Sequence, residues 1–266
     1  MAEAIVRFES VTVAFDGVPA IEDVSFEIFP GESRVILGAA GSGKTVILKT
    51  TLGLLRPERG RVFLFGHDIT RMKEHELFDL RARCGMLFQE GALFDSLTIE
   101  ENVAYPLLNQ KSVSCPPEEV RARVEEALRF VELAHTLDKY PSELSGGMRR
   151  RVGIARANVT EPSLVLYDSP TAGLDPITAN NIMALIVKER DVRRATTVIV
   201  TQRFQDGLIM DKYRYNPQTQ SLEPAQRDGE GLKFLVLKQG RLVFEGSQQE
   251  LQRSTDPYIS KFVMRH

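Results

Sequence analysis

GAAGSGKT, residues 38–45, constrains this chain more than any other stretch. It fits G-x-x-x-x-G-K-[S/T], a glycine-rich cradle for phosphate. The apolar run Val35-Ile36-Leu37 ahead of it reads as a buried strand, and Lys44 to Leu54 has a helix-compatible composition. A loop joining a strand to a helix N-terminus aims several backbone N–H groups at one point, where the helix dipole also favours an anion. Gly38, Gly41 and Gly43 let that backbone wrap closely, and Ala39, Ala40 and Ser42 complete the cradle. Lys44 is expected to reach the β- and γ-phosphates of a nucleoside triphosphate, and the Thr45 hydroxyl to ligate Mg²⁺.

The chain has 266 residues, enough for one large α/β domain or two small ones. It is 42% hydrophobic and 26% charged, which supports an ordinary core and argues against disorder. A net charge of −2 gives no general attraction to nucleic acid or to an acidic membrane surface. Cys84 and Cys115 stand apart, with no metal knuckle or disulfide framework. The opening MAEAIVRFES is not expected to be a signal peptide, and no run approaches the ~18 apolar residues of a membrane span. The expected location is the cytoplasm, with any membrane role arising through a partner.

Along the chain, Ile5 to Phe15 alternates as a strand, Asp16-Gly17 turns it, and Val24 to Phe29 continues the sheet. Phe15, at the end of its strand, suits either base stacking or the core. Arg61 to Phe65 is a short strand, Lys73 to Arg83 is expected to be helical, and Gly85 to Phe88 is a strand that ends in Gln89. Thr98 and Glu101 fit a capping box ahead of Val103. Val120, Val124, Leu128 and Val131 form one helical stripe. Ser145-Gly146-Gly147 runs into a basic helix and is by itself a plain helix cap. Ser163 to Tyr167 is a buried strand that ends at Asp168, where an acidic residue would hold Mg²⁺ opposite Thr45. TAGLDP, 171–176, is a turn ahead of a helix, and TTVIVT, 196–201, is a core strand followed by Gln202. The polar segment 211–231 reads as an exposed hairpin or loop, followed by a closing hairpin around Gln239-Gly240 and two short helices.

Taken in order, GAAGSGKT, Gln89, LSGGM at 144–148, LVLYD and GLDP resemble the nucleotide-binding subunit of an ATP-binding cassette (ABC) transporter, from about residue 4 to residue 252. The resemblance implies a single ABC ATPase domain over 1–252. Its fold would be α/β, a RecA-like parallel core with an antiparallel β subdomain and a helical subdomain at about 90–160, followed by a tail at 253–266. It implies ATP and Mg²⁺ as ligands. Phe15 matches the adenine-stacking aromatic. Gln89 matches the glutamine that senses Mg²⁺ and γ-phosphate and couples to the permease. Ser145, Gly146 and Gly147 match the signature that binds the γ-phosphate of the opposite subunit, and Asp175 matches a turn that communicates across the dimer. The partners implied are an integral-membrane permease and a second cassette, identical or not, with no nucleic acid. FQEGALFDSLTIEENVAYPL, YPSELSGGMRRRVGIARA and DPYISKFV are further similar to the ATPases of Mla- and Mce-type lipid transporters. That likeness adds a small regulatory subunit and an Mce-type substrate-binding protein as expected partners, on the cytoplasmic face of the inner membrane.

Two departures bear on catalysis. The family places glutamate directly after the acidic-strand aspartate to polarise water; here Ser169 stands there, and its hydroxyl is far too weak an acid to act as a base near pH 7. The family places histidine after the next core strand; here it is Gln202, which donates hydrogen bonds but does not titrate. The expectation is normal nucleotide binding with attenuated hydrolysis, unless a heterodimer partner brings its own complete site or Glu90 orients water. The segment 211–231 reads as a tolerated insertion or as a docking surface for a regulatory subunit. The rivals are the ATPase of another ABC system, such as a solute importer, and a non-hydrolysing ATP-gated clamp.

Overall fold

Asp16 and Gly17 both take positive φ, 51° and 78°, the geometry of a two-residue hairpin whose twist matches its strands. In the computed structural model, which describes residues 3–225 and 231–263 except for the side chain of residue 90, this turn joins β1 (Val6–Phe15) to β2 (Val18–Ile28). β2 begins earlier than the expected Val24 because the tight turn pairs Phe15 directly with Val18. β3 (Ser33–Gly38) feeds α1 (Lys44–Thr51). That helix stops before Leu54, where Gly53 turns to φ 65° and its N–H bonds the Thr50 carbonyl. β4 (Arg59–Leu64) and β5 (His67–Asp68) complete an antiparallel sheet of order β2-β1-β4-β5.

The helix expected over 73–83 divides into a 3-10 turn at Glu74–Glu76 and a short α2 (Phe78–Ala82). It ends there because the Arg83 carbonyl is taken by the N–H groups of Ser163 and Leu164 as the chain enters β6 (Cys84–Leu87). α3 (Ile99–Asn109), α4 (Pro117–Phe130) and α5 (Gly146–Asn158) form a helical group. Thr98 caps α3 reciprocally, its hydroxyl accepting from the Glu101 N–H at 3.2 Å and its own N–H donating to the Glu101 carboxylate at 2.7 Å. β7 (Leu164–Asp168), α6 (Pro176–Arg193), β8 (Thr196–Thr201) and α7 (Phe204–Lys212) follow. β9 (Tyr213–Asn216) and β10 (Ser221–Pro224) pair as a hairpin. β11 (Leu232–Lys238), β12 (Arg241–Gly246), α8 (Gln248–Gln252) and α9 (Pro257–Val263) close the chain.

The polar segment is anchored. Asp211 lies inside α7 and is buried. Arg190 of α6 donates to the carbonyls of Met210 and Tyr213, and Asp191 accepts the Tyr215 N–H at 2.7 Å. Residues 226–230 of that segment lie outside the described residues.

The main sheet has order β12-β11-β3-β8-β7-β6 and is parallel except at β12. Its central parallel strands are buried on both faces, as a sheet covered on both sides requires, whereas β12 alternates exposed and half-buried residues. Alternation then splits each strand between two cores. Val35, Leu37, Val165, Tyr167, Ile199, Phe234 and Val236 face the helices α3–α7. Ile36, Leu164, Leu166, Val198, Val200, Leu235 and Leu237 face α1 and the antiparallel sheet. β12 covers one edge, its exposed Arg241 paired with Glu22 of β2 at 2.7 Å.

One ionisable group sits in this framework at a cost. Glu189 of α6 is 4% exposed. Burial pushes its carboxyl up to about 7, although Arg193 lies 2.9 Å away and pulls the other way. A carboxyl with a raised folded value favours the fold most while protonated, below about pH 4.5, and loses that contribution as pH climbs through about 7. Glu189→Gln is therefore expected to flatten the decline in stability between pH 5 and 8, where the unaltered chain loses up to ~3 kcal/mol from this group. Urea unfolding at both pH values measures it, and parallel curves for the two proteins would contradict it.

Candidate functional site

The parallel register brings three strand ends to one level. Leu37 of β3 lies beside Thr201 of β8, and Val200 beside Asp168 of β7. The loops that leave these strands therefore meet at the carboxyl edge of the sheet, where open α/β sheets bind ligands.

The phosphate loop is tightly fitted there. Gly43 takes φ 100°, and a Cβ on it would stand 2.5 Å from the Ala20 carbonyl oxygen, so only glycine satisfies both the dihedral and the space. Lys44 is 7% exposed, and its Nζ donates to the carbonyls of Gly38 and Ala39, both at 2.8 Å. Ser42 Oγ lies 3.5 Å from the same nitrogen. Burial lowers the Lys44 ammonium to about 8, with the Asp168 carboxylate opposing that shift. A cation hydrogen-bonded to neutral oxygens, and to no carboxylate among the described residues, is well placed to transfer to a bound phosphate.

Thr45 and Asp168 meet across the loop, the hydroxyl donating to Oδ2 at 2.8 Å. Asp168 is 3% exposed. Ser169, the next residue, takes φ 50°, donates its N–H to the Val200 carbonyl and turns its hydroxyl onto Asp168 Oδ1 at 3.1 Å. Gln202, just past β8, is exposed. The hydroxyl-carboxylate pair offers the hard oxygen donors that suit Mg²⁺, so the residues present fit that ion.

The remaining candidates lie around this edge. Gln89 is exposed and opens a 3-10 turn, Gln89–Gly91. It shares a cleft of about 440 Å³ with Leu93, Asp95, Gly146, Arg149 and Leu174. Ser145 caps α5, accepting the Met148 N–H at 3.3 Å, and Gly147 faces Thr178 closely enough that a Cβ would stand 2.7 Å from its methyl. Asp175 caps α6 through the N–H groups of Ile177 and Thr178, both at 3.0 Å. Its bonds with Thr178, and then the other backbone bonds at that cap, hold its carboxyl below the usual range. Phe15, 48% exposed, sits beside Val18 at the end of the hairpin whose Ala20 touches Gly43. The structure thus joins Thr45, Asp168 and Ser169 by direct hydrogen bonds, with Lys44 next to Thr45 and bonded within the loop. Gln89 and Gly146 line a neighbouring cleft, and Ser145, Gly147 and Asp175 cap or open the helices beside it. Whether Glu90 faces water rests on a side chain outside the described residues.

Two buried residues of this edge were not singled out in the sequence. Arg150 of α5, 4% exposed, donates to the carbonyls of Ser169 at 3.2 Å and Ala172 at 2.9 Å, so it holds the loop after the acidic strand. A signal existed: Arg150 shares its helix face with buried Gly153, Ile154 and Ala157, and an arginine on a buried stripe needs carbonyl or carboxylate partners. Asp206 of α7, 1% exposed, accepts the hydroxyls of Thr171 at 2.7 Å and Thr201 at 2.6 Å. One carboxylate thereby links the loops that follow β7 and β8. No local pattern announces it.

A strand–loop–helix cradle facing an acidic strand end, on a parallel sheet flanked by an antiparallel one, defines a triphosphate-binding cassette. The model of the ABC transporter family matches residues 21–172. A Mycobacterium leprae protein described as "Probable ribonucleotide transport ATP-binding protein mkl" is 36% identical over 258 residues, 97% of this chain and 68% of that one. The Haemophilus influenzae "Intermembrane phospholipid transport system ATP-binding protein MlaF" is 30% identical over 263 residues, 99% of this chain and 91% of that one. Among solved structures, a dimeric post-hydrolysis ATP-binding cassette bound to ADP and Pi superposes with a TM-score of 0.76 at 29% identity, covering 91% of this chain and 98% of that one. The chain belongs to the ABC transporter family. It is an ABC-type ATPase with the α/β fold of the cassette. Among the described residues no helix is long and apolar enough to cross a membrane.

Asp206→Ala is expected to lower the unfolding free energy by ~3 kcal/mol, because it strands two buried hydroxyls. It should slow ATP turnover more than it weakens ATP binding. Denaturant titration with turnover and binding assays measures both, and wild-type turnover would contradict the prediction.

Proposed function

We propose that this chain is the energy-transducing subunit of a membrane permease, closing as a two-chain sandwich on two Mg·ATP, with lipid of the Mla/Mce kind as cargo. The observation that carries this reading is the contact of Thr45 with Asp168 beside a buried Lys44. Thr45 and Asp168 would hold Mg²⁺, Asp168 through water, with Gln89 as a further ligand. Bound there, the ion would neutralise charge on the β- and γ-phosphates. Lys44 exchanges its two carbonyl partners for phosphate oxygens. Phe15 stacks on the base. Ser145, Gly146 and Gly147, at the start of α5, serve the triphosphate of the opposite chain, since a helix N-terminus with glycines is an anion site. Asp175 and Gln89 relay closure across the dimer and to the permease.

Hydrolysis is slow at the site this chain builds alone. Ser169 cannot take a proton from water, and its hydroxyl is committed to Asp168. Gln202 supplies a hydrogen bond without a titrating proton. Loss of a general base costs about 10²–10⁴ in rate. A second, different cassette bearing its own glutamate would restore turnover on one of the two sites, with this chain's signature completing it. The lipid reading is supported by the MlaF relative, which spans nearly the whole chain. The mkl relative, named for ribonucleotide transport, favours a solute instead, and the identity of the copurified permease decides between them.

The test is Mg-dependent phosphate release, alone and with the permease, from the natural protein and from Ser169→Glu. Restoring the carboxylate is expected to raise the rate by ~10²-fold or more. No change would show that another group activates water.

A further inference from the structure

The last helix reaches back to the phosphate loop. The Tyr258 hydroxyl, on α9, accepts the Ala39 N–H at 3.1 Å and donates to the Leu237 carbonyl at 2.8 Å. Ala39 N–H and the Gly38 carbonyl belong to one peptide group, and that carbonyl holds Lys44 Nζ at 2.8 Å. A single peptide plane is therefore gripped on one side by the tail and on the other by the phosphate-binding lysine. Leu237 pairs with Gly38 in the parallel ladder, so the same hydroxyl joins the end of β11 to the start of the loop.

The grip is set up by the tail itself. Asp256 accepts the Tyr258 N–H at 2.6 Å and the Ile259 N–H at 3.3 Å. Ile259 is 3% exposed and packs into the helical-side core. The Phe262 ring meets Tyr258 edge-on with centroids 5.3 Å apart, and the Lys238 ammonium lies 5.2 Å from the Tyr258 ring centre. These contacts orient a phenol that accepts one hydrogen bond and donates another, and no apolar side chain replaces both. Linked hydrogen bonds polarise one another, so the Gly38–Ala39 peptide carries the coupling in either direction.

We propose that Tyr258 is a positioning residue for the nucleotide site. It holds the Gly38–Ala39 peptide in the orientation that presents Lys44, and it ties occupancy of the phosphate loop to docking of the C-terminal helix. The proposal rests on the reading of residues 38–45 as a triphosphate cradle. By linkage, whatever stabilises the docked tail strengthens nucleotide binding, and nucleotide stabilises the docked tail by the same factor.

Tyr258→Phe keeps the ring packing and deletes only the hydroxyl. Mg·ATP affinity is expected to fall ~3- to 10-fold, the weight of one ordinary hydrogen bond. Turnover at saturating ATP should stay within about twofold, so that the effect lies in KM. Hydrogen exchange gives a second readout: Mg·ATP should slow exchange across residues 257–263 in the natural protein and not in the variant. Unchanged affinity overturns the proposal, and so does a loss of thermal stability with nucleotide protection of the tail intact. Lys44→Ala serves as the control. If the natural protein itself binds no Mg·ATP, the cradle reading fails rather than this one.

Discussion

The hydrogen bond from Thr45 to Asp168 is the point on which the rest of the molecule depends. It joins the first turn of α1 to the end of β7, two segments far apart in the chain. It exists because β8 lies between β3 and β7 in a parallel sheet whose registers end at the same height. A slip of one residue in either ladder would turn Asp168 toward the opposite core. The apolar side chains that fix the register thus help to build the site, although they point into the two cores and away from it.

Electrostatics follow from the same enclosure. Lys44 is buried with neutral carbonyl partners and a lowered ammonium value, next to an aspartate that stays within its field. The arrangement compensates the lysine enough to keep it in place without locking it in a salt bridge. Arg150 and Asp206 brace the opposite side, one through carbonyls and one through hydroxyls. Both hold the segments that leave β7 and β8, so the positions of Ser169 and its neighbours are fixed by buried partners.

The phosphate loop, the acidic strand, the signature cap and the capping box at Thr98 were legible because each is a local pattern with a local physical cause. Helix limits were less so. α2 ends where tertiary hydrogen bonds to the Arg83 carbonyl take over, which no local pattern shows, whereas the left-handed stop of α1 at Gly53 was readable, and the helix expected to Leu54 overran it. β2 starts early because the Asp16-Gly17 turn is tighter than its flanking residues suggest. Asp206 and Tyr258 escaped notice for a stricter reason. Their partners lie at Thr171, Thr201, Leu237 and Ala39, and only the folded sheet brings them near. Arg150 stands between these cases, since its helical phase was readable and its carbonyl partners were not.

The reversed strand β12 has a consequence for how two such molecules come together. It closes one border of the main sheet with a charged, alternating surface whose arginine is committed to a neighbouring glutamate. A border of that kind resists lateral annealing of one backbone ladder onto another. Self-association through ladder growth is thereby discouraged there, and any pairing of two such chains is left to surfaces other than this border.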